Sequence, residues 1–243
     1  MSYYKDKIVI ITGATSGIGK AIAKKLYNEN AQLFLLGRNF SSLKKELKEN
    51  HRDDFCEIDL TNDSDIEEFV DRINRNCNRI DVLVHSAGAV HMGSLENVSV
   101  KDLDELYAIN VRAPYLLTQK FLSLIKKAKG QIVFLNSTAG LQTKEFLGQY
   151  SASKFALKAI ADSLRLEVRS EGINVLSIYL GAAATPMQEK VQAFSGKAYH
   201  PENYMNADEV AERILQVIKN GKEARITDVT IKDRENFHLE GWG

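Results

Sequence analysis

Along the chain, short apolar runs alternate with longer stretches in which apolar positions recur every three or four residues. Residues 7–12 and 32–37 are aliphatic and β-branched and read as strands, with a helical period over 18–30 between them, which is a βαβ beginning. The alternation continues with a strand at 55–59, a helix at 63–76 and a strand at 81–85. Helical stretches follow at 100–109 and 113–127, then a strand at 131–136, a helix opening at Tyr150, and a strand at 173–179. A less regular polar segment, 181–206, precedes a helix at 207–220 and a last strand at 224–231. Seven strands with helices between them predict a Rossmann-type α/β fold, a doubly wound parallel sheet with helices on both faces.

Composition narrows this picture. No linker rich in Gly, Pro or Ser divides the 243 residues, and prolines occur only at 114, 186 and 201, so one domain spans 1–243, with a substrate lid at about 181–206 and a frayed tail at 232–243. Lys plus Arg and Asp plus Glu are equal at 32 each without a block of like charge, which argues against a nucleic-acid partner. The two cysteines, Cys56 and Cys77, form no CxxC pair and the five histidines have no metal-ligand spacing, so neither thiol redox chemistry nor a metal is expected. The polar start and the lack of any apolar span near 18 residues predict no membrane partner and a cytoplasmic, unexported chain. For such a chain the Asn-x-Ser/Thr triplets at Asn39, Asn62, Asn97 and Asn136 are chance or structural.

Candidate chemistry begins after the first strand, at Gly13-Ala14-Thr15-Ser16-Gly17-Ile18-Gly19. Three glycines allow a tight turn and a close approach, and the following helix aims its N-terminal N–H groups and dipole at an anion. A pyrophosphate suits that position at the first βα junction. The second strand ends in Leu36-Gly37-Arg38-Asn39, without the carboxylate that would hold a ribose 2′-OH. Arg38 either pairs with a 2′-phosphate, which favours NADP(H), or is a surface arginine opening a loop. Asp59 either accepts from an adenine amino group or caps the next helix.

The Gly-rich segment, Asn110, Ser137 and Tyr150-Ser151-Ala152-Ser153-Lys154, with twelve residues between Ser137 and Tyr150, together resemble the short-chain dehydrogenase/reductase family in type, order and spacing. The resemblance runs from about residue 7 to 231. It implies an oxidoreductase that interconverts a ketone or aldehyde and an alcohol by hydride transfer, with NADP(H) as the cofactor that Arg38 favours. It implies catalytic roles for Asn110, Ser137, Tyr150 and Lys154. The implied cofactor set is Gly13, Thr15, Ser16, Gly17, Ile18, Gly19, Arg38, Asp59, Leu60, Ser86, Ala87, Gly88, Tyr150, Lys154, Gly181, Ala183 and Thr185. The chemistry also stands on the residues. Tyrosine ordinarily titrates near pH ~10, so as an acid–base group it needs its pKa lowered, and an ammonium four residues on, on the same helical face, favours the phenolate, with a cationic nicotinamide ring nearby adding to the effect. Tyr150 is then general acid in reduction and general base in oxidation, and Lys154 also has donors for the nicotinamide ribose. The Ser137 hydroxyl can donate to the substrate oxygen, and no histidine or G-x-S-x-G elbow makes it a nucleophile. By resemblance Asn110 supports a water linking Lys154 to solvent; by sequence alone it is equally a helix cap.

Three departures from the family pattern matter. His85-Ser86-Ala87-Gly88 stands where Asn-Asn-Ala-Gly is common, and His85 at a strand end is expected to satisfy a backbone hydrogen bond. Leu180 replaces the proline of a Pro-Gly pair, so 181–204 is expected to be mobile and to order on ligand binding. Ile226-Thr227-Asp228-Val229-Thr230-Ile231 lacks a Val-Asp-Gly-Gly signature, which demotes a 3-oxoacyl-carrier-protein reductase-like role. Pocket candidates are Val90, His91 and Met92; Leu141, Phe146 and Leu147; Met187, Phe194, Tyr199 and Tyr204, suited to a small, partly apolar carbonyl or alcohol substrate. A non-catalytic NADP(H) sensor is the alternative from another class, and an epimerase or dehydratase usually has a larger substrate lobe. The resemblance implies a homodimer or homotetramer through the two long helices, where Tyr115, Leu116, Phe121, Phe155 and Leu157 are dense.

Overall fold

The computed structural model describes residues 2–47, 54–221 and 225–233. Seven strands form one parallel sheet: β1 Ile8–Thr12, β2 Gln32–Gly37, β3 Asp54–Glu57, β4 Val82–His85, β5 Gln131–Ser137, β6 Asn174–Leu180 and β7 Asp228–Ile231. Their order is β3-β2-β1-β4-β5-β6-β7. The chain winds outward one way from β1 and the other way from β4, so connections above the β1–β4 boundary part and leave a crevice at the strands' C-terminal ends.

Strand side chains alternate faces, and both faces are covered. Val9, Ile11, Leu33, Leu35, Val84 and Ile178 pack with Ile22 and Leu26 of α1 (Gly17–Asn28) and with Ile214 and Ile218 of α8 (Ala207–Asn220). Ile10, Leu36, Leu83, Phe134 and Val175 pack on the other side against three helices, α3 (Asp63–Asn76), α5 (Ala113–Ala128) and α6 (Gly148–Glu167). Phe121 and Leu157 lie inside that second core, so only part of the apolar surplus expected on the long helices faces outward, with Tyr115 and Phe155 among it.

Two helices stand where none was expected. Ser41–Glu46 forms a short α2, tied to α1 by Lys20 and Lys24, which both pair with Glu46. Within the segment expected to be irregular, Pro186–Phe194 forms α7, started by the Thr185 side chain, which accepts from the Gln188 N–H, and by Pro186 in the first turn. The expected break after 109 is also absent: α4 (Val100–Tyr107) runs into α5 through a π-helical turn at Ala108–Arg112. β7 begins at Asp228, later than the expected 224, although the Thr227 carbonyl already accepts from Ser177. Residue 224 and positions 234–243 of the expected frayed tail lie outside the described residues. All four Asn-x-Ser/Thr asparagines have structural work: Asn62 caps α3, Asn39 accepts from the Ser41 N–H at the start of α2, Asn97 donates to Ser94, and Asn136 is buried behind the site. Among the described residues no helix is long and apolar enough to cross a membrane.

Candidate active site

A cleft of about 1490 Å³ opens at the C-terminal ends of the strands. The loop after β1 and the start of α1 form one wall. Gly13 has φ +69, and a Cβ there would strike the Ala87 backbone at 2.7 Å. Gly19 likewise leaves room for the Gly13 carbonyl and the Ser86 hydroxyl. These two glycines therefore close protein on protein, joining the β1 and β4 loops, rather than only making space for a ligand. Thr12 completes the joint: its hydroxyl oxygen accepts from the Ser86 and Ala87 N–H groups, each at 3.1 Å.

What then faces the cleft is the N-terminus of α1. Ser16 makes no side-chain cap and the first turn carries no acid, as in α2 and α6 and unlike α3, α4, α7 and α8, which each have a side-chain cap and a first-turn carboxylate. With Gly17, Ile18 and Gly19 lining the cleft, this end keeps its partial positive charge for an anionic group, and a dinucleotide pyrophosphate fits it. Arg38 and Asp59 line the same end. Asp59 does not cap the following helix, since Asn62 does. It instead accepts from the Thr61 N–H at 2.9 Å and the Thr61 hydroxyl at 2.8 Å, which hold its carboxyl below the usual range, with help from Arg38. Leu60, Ser86, Ala87, Gly88, Gly181, Ala183 and Thr185 complete a lining that takes in every residue of the expected cofactor set.

Ser137, Tyr150 and Lys154 meet in the middle of the cleft. Ser137 ends β5, and Tyr150 and Lys154 lie one turn apart on α6, with the Lys154 ammonium 5.8 Å from the Tyr150 ring centroid. Lys154 is 4 % exposed, donates to the Leu135 carbonyl at 3.3 Å, and is pushed by burial down to about 8. At Tyr150 the side chains of the protein alone do not supply the expected lowering. Burial pushes its phenol above the ordinary range, and only the hydrogen bond with Ser137 works the other way. The physical reason is that a phenolate here loses its hydration, a larger effect than the neighbouring groups of the chain offset.

Asn110 stands behind the cleft rather than on its surface. It is wholly buried in the π-helical turn and is not a cap. Its Oδ1 accepts from the Ala89 N–H at 2.9 Å, and its Nδ2 donates to the Ala89 carbonyl at 3.0 Å and to Ser153 Oγ at 2.9 Å. Ser153 in turn donates to the Tyr150 carbonyl at 2.7 Å. A Cβ on Gly88 would sit 3.4 Å from Asn110 Oδ1 and 3.8 Å from Lys154 Nζ, so these two polar atoms border one small space. Asn136, which the sequence offered only as one of four Asn-x-Ser/Thr asparagines, donates to the Lys154 carbonyl at 3.1 Å and accepts from the Ser137 N–H at 2.8 Å. It joins β5 to α6 behind both groups, a role that neither its Asn-x-Thr triplet nor its place as a polar residue in an apolar strand had assigned to it.

Other expectations divide. Val90, Met92, Phe146, Leu147, Met187 and Phe194 line the cleft, whereas His91, Leu141, Tyr199 and Tyr204 do not. Tyr199 and Tyr204 stack on each other at 5.8 Å. His91 faces Asp102 at 3.6 Å and Glu105 at 3.2 Å, a polar cluster that only the fold assembles. His85 does not take a backbone partner: its Nε2 meets Thr118 Oγ1 at 2.8 Å and its ring stacks on Phe134. Burial alone pushes it down to about 3, so it is neutral.

Against this geometry, the model of a family described as short chain dehydrogenase matches residues 7–196. An uncharacterized oxidoreductase of Staphylococcus epidermidis is 30% identical over 234 residues, covering 96% of this chain and 99% of its own. Two solved structures share the fold. An alcohol dehydrogenase from the archaeon Thermococcus sibiricus, complexed with 5-hydroxy-NADP, is 23% identical with a TM-score of 0.82, over 95% of this chain and 97% of that one. A 4-hydroxyisoleucine dehydrogenase complexed with NADH is 23% identical with a TM-score of 0.83, over 93% and 97%.

Proposed function

The chain belongs to the short chain dehydrogenase family of oxidoreductases, and from that premise we propose that it interconverts a ketone or aldehyde and an alcohol with NADP(H), using Tyr150 as general acid and base. The observation that carries this reading is the convergence of Ser137, Tyr150 and Lys154 in one cleft with an uncapped helix N-terminus. The Gly-rich loop and the α1 N-terminus would hold the pyrophosphate, Arg38 the 2′-phosphate, Asp59 the adenine end, and Lys154 the nicotinamide ribose. Bound there, the nicotinamide supplies or accepts the hydride.

The chain's own part is to move a proton. In reduction Tyr150 donates its phenolic proton to the carbonyl oxygen while the Ser137 hydroxyl donates a hydrogen bond to the same oxygen. In oxidation the proton runs the other way, Tyr150 taking it from the alcohol while the Ser137 hydroxyl still donates to the same oxygen. Because burial disfavours the phenolate, the chain by itself leans toward the proton-donating state. The positive charges that balance the phenolate are the Lys154 ammonium and the oxidised nicotinamide. Asn110 has a positioning role, since it ties the loop at Ala89 to Ser153 and so to the turn bearing Tyr150. A water in the space between Asn110 Oδ1 and Lys154 Nζ would link Lys154 to solvent, the source of the proton in reduction and its destination in oxidation.

A panel of carbonyl compounds followed by NADPH absorbance tests the activity. Turnover of at least one ketone or aldehyde is expected, and NADPH binding without any turnover would favour a sensor instead. Tyr150→Phe is expected to lower turnover roughly 10²–10⁴-fold while leaving the NADPH Kd nearly unchanged. A variant that keeps most of its activity would refute the assignment.

A further inference from the structure

The excursion that carries α7 leaves and rejoins the body at one place, where Ala183 pairs with Met205 and the Ala184 N–H donates to the Met205 carbonyl at 2.8 Å. Between those points α7 buries none of its side chains. Its last residue, Phe194, reaches across the cleft to Phe146, ring centroids 6.1 Å apart and tilted 53°, inside the range of favourable aromatic pairs. Both rings stay half exposed.

Phe146 is set in an unusual way. Its φ is +60, a left-handed conformation that costs a bulky residue, and its carbonyl is fixed by the Gly93 N–H at 2.9 Å. The pair lines both the main cleft and a side cavity of about 300 Å³ walled by Met92, Gly93 and Val98. From the pair an apolar surface leads back to Tyr150, because Leu147 and Val90 pack in one small cluster with Tyr150 and Leu106.

We infer that Phe146 and Phe194 together form the specificity wall of the carbonyl subsite and hold α7 against the body. The substrate class that matches is a ketone or secondary alcohol with one apolar, ring-sized arm, which packs on the two rings and extends toward the side cavity while its oxygen meets Tyr150 and Ser137. This inference rests on the proposed function for its substrate, and on geometry alone for the hold on α7.

Two readouts separate those parts. With NADPH, the ratio of kcat/KM for 4-phenyl-2-butanone to that for butanone is expected to exceed one in the wild type and to fall about tenfold in Phe194→Ala, the scale of a lost apolar contact. Phe146→Gly, which keeps the left-handed backbone without strain and removes only the ring, is expected to lower it similarly. Independently of turnover, hydrogen exchange of the α7 amides is expected to quicken several-fold in both variants. An unchanged ratio in an active enzyme overturns the specificity wall, and unchanged exchange overturns the hold on α7. If the wild type reduces no carbonyl compound, the proposed function and the substrate class fall together, while the exchange result still decides the contact.

Discussion

Lys154→Met should make the protein more stable while disabling it. The side chain is buried, 4 % exposed, and burial pushes it from 10.5 to about 8. That gap corresponds to about 3 kcal/mol of folding free energy withheld while the group is charged. Methionine has similar length and no charge, but it forfeits the bond to the Leu135 carbonyl, worth about 1 kcal/mol. The expected net gain at pH 7 is therefore about 2 kcal/mol. In urea titrations followed by circular dichroism this moves the midpoint up by roughly 0.5–1 M. The pH dependence is a sharper check. Between about pH 8 and 10.5 the unfolded chain still binds a proton at this position and the folded chain does not, so wild-type stability rises with pH relative to the variant. The gap should be full at pH 7 and should close as the pH approaches 10.5. A variant less stable than wild type at pH 7, or a gap that does not change from pH 7 to 10, would refute the reasoning.

The remaining expectations concern cofactor choice, acid stability and assembly. Arg38→Ala should raise the KM for NADPH about 10–100-fold with little effect on NADH, since a charged pairing is lost; equal effects on both cofactors would remove Arg38 from the 2′-phosphate. His85, neutral and pushed down to about 3, makes stability fall as pH drops below 6.5, because the unfolded chain takes up a proton there that the folded chain refuses. His85→Asn should therefore lose less of its urea midpoint between pH 7 and 4.5 than wild type, and an equal loss would show that other groups set the acid limb. Light scattering should give a dimer or tetramer paired through α5 and α6, where Tyr115 and Phe155 are exposed, and a monomer mass would end that proposal.

Much of the architecture and part of the site were present in the sequence, because both rest on local periodicity. Alternating aliphatic residues read as strands whichever residues later cover them, and a tyrosine and a lysine four apart share a helical face without help from the rest of the chain. The three glycines and the missing carboxylate after β2 were legible for the same reason. What the tertiary structure decided depends on distant partners. Asn110 is a strut between Ala89 and Ser153 because three separate segments meet there, and Asn136 and Thr12 matter only through bonds that join β5 to α6 and the end of β1 to the loop after β4. The helix α7 follows from a Thr-Pro start that was visible, but Phe194 faces Phe146 only because the excursion folds back across the cleft. Spacing alone pointed to an ammonium that lowers the tyrosine's pKa. Burial, which no spacing encodes, raises Tyr150 and lowers Lys154, because desolvation is set by everything packed around a group rather than by its neighbours in the chain.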